Sequence, residues 1–128
     1  MVAMAGTGRE VRVDGEVTSA ISDAMASLLS RYTGRGATSS RTTFGKDVIV
    51  CVMEDALTKG ERNLVQFGRT DAVMNIRSAF QEVMADEAIS LVEELSGRRV
   101  TAFMSNNHID PDLAVETFVL QRTSDGRE

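Results

Sequence analysis

From Gly15 to Tyr32 the apolar residues Val17, Ile21, Ala24, Leu28 and Tyr32 recur at steps of three and four, which sets them along one helical face. This spacing predicts an amphipathic helix that stops near Thr33, where Gly34 and Gly36 offer the backbone freedom used at helix ends. The pattern then changes. Ser39 to Phe44 is rich in serine and threonine, Val48 to Met53 is a β-branched run, and Gly45, Lys46 and Asp47 between them suit a tight turn. A β-hairpin is expected there, its polar first strand nearer an edge and its apolar second strand inside the sheet.

Thr58 and Glu61 stand at capping-box spacing, which predicts a helix starting at Thr58 and ending near Phe67, before Gly68. Thr70 or Asp71 is placed to cap the next helix. In that long segment Val73, Ile76, Phe80, Val83, Met84, Ala88, Leu91 and Leu95 fall in helical register, and Gly97 marks the stop, with Arg98 and Arg99 beside the helix end. Val100 to Ser105 and Leu113 to Gln121 form a second strand pair around the polar loop Asn106 to Asp112. The element order is thus α-β-β-α-α-β-β. Two hairpins build a four-stranded antiparallel sheet most simply, with the helices packed on one face, an α+β fold.

At 128 residues the chain suits one domain. It is divided here into a flexible N-terminal segment over 1–14, a single domain over 15–122, and a flexible tail over 123–128. A net charge of −5, with no run of like charges, argues against a general affinity for nucleic acid. The longest apolar run, Val48 to Met53, is the length of a strand, so no membrane insertion is expected. Met1 to Gly8 lacks a basic stretch followed by a sustained apolar one, and the lone Cys51 cannot form an internal disulfide; both suit a cytoplasmic protein. A long helix over a small sheet leaves apolar surface that one copy does not cover, which predicts a homodimer.

Several motifs succeed one another toward the C-terminus: Leu95-Ser96-Gly97-Arg98-Arg99-Val100, Phe103-Met104-Ser105, His108-Ile109-Asp110-Pro111-Asp112, Ala114-Val115-Glu116 and Phe118-Val119-Leu120. Upstream stand Gly34-Arg35-Gly36, Leu57-Thr58 with Glu61 and Leu64, and Arg77 with Phe80. Together they resemble the MpsC-like family, small prokaryotic proteins, over roughly residues 15–121. One departure is Ala37, where the family usually has proline after the glycine-arginine-glycine turn. The resemblance implies a soluble accessory part of a membrane-potential-generating system linked to inorganic carbon uptake, with a membrane-system protein as partner. It assigns no residue-level role.

The candidate chemistry is sparse. His108, Asp110 and Asp112 in the last loop, with Glu116 nearby, offer an imidazole and three carboxylates, types that bind divalent metals or move protons. Their spacing matches no metal signature, and in such turns Asp and Asn more often bond the backbone. Arg35, between two glycines, could meet a small anion, but the C-terminal end of a helix disfavours negative charge. Arg77, beside the apolar stripe of the long helix, could reach a carboxylate such as Glu116 or hold an anion. There is no phosphate-binding glycine motif, and Cys51 lies in an apolar strand far in sequence from the one histidine. The expectation is a non-enzymatic accessory or regulatory subunit without a cofactor, binding a partner protein or a small anion. The alternatives are a small metal- or ligand-dependent enzyme built on the His108 to Glu116 cluster, or a purely structural oligomerisation domain.

Overall fold

A computed structural model describes the backbone of residues 3–122 and the side chains of residues 15–122; the tail expected to be flexible over 123–128 lies outside the described residues. Helix α1 spans Ala3–Thr33, β1 Ser39–Phe44, β2 Val48–Glu54, α2 Lys59–Gln66, α3 Thr70–Ser96, β3 Val100–His108 and β4 Leu113–Leu120. The order is the one the hydrophobic pattern predicts. α1 starts upstream of Gly15, where the apolar spacing begins: Ala3, Met4 and Ala5 are good helix formers, and no proline interrupts the run.

The strands form one antiparallel sheet in the order β1-β2-β4-β3. The polar strand β1 lies at an edge and the apolar strand β2 inside. Alternation fixes the two faces. Ile49, Cys51 and Met53 of β2 and Ala114, Glu116, Phe118 and Leu120 of β4 are buried on the helix side. Here they meet Ile21, Met25, Leu28 and Leu29 of α1 and Met84, Ala88 and Val92 of α3 in one core. Phe103 of β3 lies opposite Phe118 with ring centroids 4.9 Å apart. α1 packs on α3, β1 and β2; α3 packs on α1, α2 and β3.

The helix ends follow local chemistry. Thr58 and Glu61 close a reciprocal capping box: Thr58 N–H donates to Glu61 Oε1 at 2.8 Å, and Glu61 N–H to Thr58 Oγ1 at 3.1 Å. Gly34, Gly68 and Gly97 take left-handed backbone angles, as their placement after each helix predicts. The start of α3 differs from expectation. Its cap residue is Arg69, with no side-chain cap bond, and Thr70 is already inside the helix. Asp71 is drawn away from a capping role because it accepts from the Arg69 guanidinium at 3.2 and 3.4 Å.

The buried stripe of α3 also differs. Val73, Arg77, Met84, Ala88 and Val92 face inward, while Ile76 and Val83 face solvent at 38% and 63% exposure. The helix has turned its arginine inward because α2 supplies a buried acid to receive it.

Candidate functional site

The residues singled out in the sequence fall into three separate places. Arg35 follows the left-handed Gly34, and its guanidinium donates to the Asp55 carbonyl at 2.8 Å and pairs with the Asp55 carboxylate at 2.9 Å. Its Nε is buried without a partner. Asp55 itself has φ +58, an angle unusual outside glycine, which turns its carboxylate toward Thr38, Arg35 and Arg62. The Thr38 hydroxyl, with help from both arginines, holds the Asp55 carboxyl below its ordinary range. The Arg35 fork is therefore a strut joining the end of α1 to the end of β2.

The final loop is held by its own backbone. His108 Nδ1 donates to the Pro111 carbonyl at 2.8 Å, and Asp112 Oδ2 accepts the Leu57 N–H at 2.9 Å. Asp55 N–H donates to the Asp112 carbonyl at 3.0 Å, which seats this loop against the chain leading into α2. Asp110 is exposed beside the cis bond to Pro111. In the β3–β4 register His108 faces Leu113 and Ser105 faces Glu116, so strand alternation points His108 away from the helix side and Glu116 into it. His108, Asp110, Asp112 and Glu116 do not converge; among the described residues no three His, Cys, Asp or Glu side chains do.

The third place is the charged core. Arg77 Nη1 of α3 donates to Glu61 Oε1 of α2 at 3.2 Å, with side chains only 4% and 6% exposed. Glu116, the acid named in the sequence as a partner for Arg77, lies across the same interior at 6% exposure, with no ion pair within 4 Å and with Ser105 opposite it in the strand register. Small cavities of about 10 Å³ adjoin it, one lined by Met25, Met53, Met84 and Phe103, the other by Arg77, Gln81, Met84 and Asn107. Burial drives the Glu116 carboxyl up to about 7, against the opposing pull of the Ser105 hydroxyl and the Arg77 charge. Glu61 is the participant that the sequence hid: its capping-box spacing accounts for it fully, and only the fold shows the same oxygen serving a buried guanidinium.

Two further features lie outside these places. A shallow groove of about 300 Å³ runs between α1 and the edge strand β1, lined by Thr18, Ser22, Asp23, Ser40, Arg41 and Thr42. The face of the sheet opposite the helices carries Val48, Val50 and Val52 of β2 and Val115 and Val119 of β4, with Met104 of β3, half-buried or exposed. Val52 pairs with Val115, Val50 with Thr117 and Val48 with Val119, so the valines form adjoining rows broken only by Thr117, and none of the described helices covers them.

Such an architecture defines a two-layer α+β domain with a charged core cluster and one bare, valine-rich sheet face. The chain belongs to the MpsC family, described as a Na+-translocating membrane potential-generating system (MpsC), whose match spans residues 13–122. No curated protein and no solved structure matches it. Among the described residues no helix is long and apolar enough to cross a membrane.

Proposed function

We propose that this chain is a non-enzymatic accessory subunit of a membrane-potential-generating system and presents the bare face of its sheet to a protein partner. The observation that carries the reading is that face: adjoining valine rows on the two central strands, with all described helices on the other side. Contiguous apolar surface of this kind marks protein contact sites more often than solvent-facing ones. Family membership supports a membrane component of the system as that partner. Protein fits better than a small anion, because the Arg35 and Arg77 guanidiniums already serve Asp55 and Glu61.

The test is co-sedimentation of the purified chain with membranes that hold the system's membrane component. Val52→Lys combined with Val115→Glu should lose the binding that the unaltered chain shows. The reading fails if neither protein binds, or if both bind equally. The homodimer is tested by light scattering at micromolar concentration: a mass of two chains that drops to one in the same double variant would mean that this face joins two copies.

A further inference from the structure

We propose that Glu116 is a proton-binding site whose charge is read by Arg77 and passed, through Glu61, to the cap of α2. Three geometric facts carry this. Glu116 is a carboxyl only 6% exposed with no ion-pair partner within 4 Å, a rare condition for an acid in a folded core. The cavities beside it are each about the size of one water, so the group can exchange a proton without room for a larger ligand. The Ser105 hydroxyl, opposite Glu116 in the strand register, is buried and engaged by no other group, which leaves it free to donate to the carboxylate.

The surroundings determine what the proton does. From α3 the only charge facing Glu116 is Arg77, with the neutral Gln81 beside it; from α1 come Met25 and Leu29. From β2 the register partner is Cys51, whose thiol burial holds it up and neutral; from β3 come Ser105 and the neutral Asn107. The helix-facing residues of β1, Ser40 and Thr42, are uncharged. Among the described residues ionised Glu116 therefore has one cation to draw on, and that cation already holds Glu61. With a proton on Glu116, Arg77 is left to Glu61 alone. Without it, two carboxylates share one guanidinium, and the pull reaches Glu61 Oε1, the oxygen that also caps the Thr58 N–H. Burial, which pushes the Glu116 carboxyl up to about 7, fits this scheme. The inference is independent of what binds the outer sheet face.

Carbon-13 and nitrogen-15 NMR of the full chain between about pH 5 and 9 reads each step. The Glu116 carboxyl carbon should titrate with a midpoint near 7, and the Arg77 Nε and the Thr58 and Glu61 amides should shift with the same midpoint. In Glu116→Gln those three coordinated shifts should vanish. Ser105→Ala, a mild change on an edge strand, should raise the Glu116 midpoint. A Glu116 midpoint below about 5, or neutral-range shifts at Arg77, Thr58 and Glu61 that persist in Glu116→Gln, would overturn the proposal.

Discussion

Arg77 and Glu61 meet at 3.2 Å in a part of the core where both side chains are almost fully withdrawn from water. Glu61 Oε1 also accepts the Thr58 N–H, so a single oxygen closes the cap of α2 and fixes α2 to α3. Removing one member of a buried pair strands the other charge, which costs about 3 to 5 kcal/mol. Arg77→Met should therefore destabilise the chain by about that amount in urea unfolding. Arg77→Met combined with Glu61→Gln should lose clearly less than the sum of the single losses. Additive losses would mean that the two groups do not depend on each other.

Glu116 gives stability a pH dependence of definite sign. Its carboxyl moves from an ordinary 4.5 up to about 7 on burial. Between those values the folded chain holds a proton that the unfolded chain has released, so its stability contribution is full below about pH 4.5 and is lost as pH rises to about 7. The difference amounts to about 3 kcal/mol. Glu116→Gln, which keeps the shape and cannot ionise, should match the unaltered chain near pH 4.5 and exceed it by up to about 3 kcal/mol at pH 8. Thermal unfolding at both pH values checks this. A variant weaker than the parent at pH 8 would contradict the burial argument.

These two acids also show where sequence reasoning stops. The element order, the edge and inner strands of the first hairpin, the capping box and the glycine stops are set by local patterns within a few residues, and all of them are legible. The inward turn of Arg77 is not. A periodicity reading assigns Ile76 and Val83 to the core and sets Arg77 beside the stripe with Glu116 as its acid, and only the arrival of Glu61 from another helix turns Arg77 inward to a different partner. The loop around His108 behaves as its turn chemistry predicts, bonding backbone groups rather than forming a site. The alternative of a metal or catalytic site from its four polar residues fails because strand alternation and backbone bonds at Pro111 and Leu57 separate them. Asp55 was invisible because its left-handed backbone and its three partners arise from the meeting of distant segments.

Two glycines make opposite predictions from similar open surroundings. An added Cβ would meet nothing within 4 Å at either Gly60 or Gly97. Gly97 holds φ +71 at the end of α3, an angle that Cβ penalises, so Gly97→Ala should cost about 1 kcal/mol. Gly60 lies in the first turn of α2, where glycine weakens a helix, so Gly60→Ala should gain about 0.5 to 1 kcal/mol. Denaturant midpoints of the two variants should move in opposite directions.

The outer face of the sheet can be changed without disturbing the core beneath it. Val52 and Val115 are direct cross-strand partners there, both half-exposed, and their strand neighbours Cys51, Met53, Ala114 and Glu116 point the other way. Replacing the pair with Val52→Lys and Val115→Glu keeps an attractive pair across the ladder, which offsets most of the lost strand preference and leaves a net change within about 1 kcal/mol. Any surface that docks on the valine rows would instead have to bury two charges, a far larger penalty. The variant should therefore retain its unfolding temperature to within a few degrees while losing contact with the membrane partner or a second copy. A large drop in unfolding temperature would place these valines in the fold's own core. Full binding with unchanged stability would move the contact surface elsewhere, to the exposed Phe67, Ile76 and Val83 around α3.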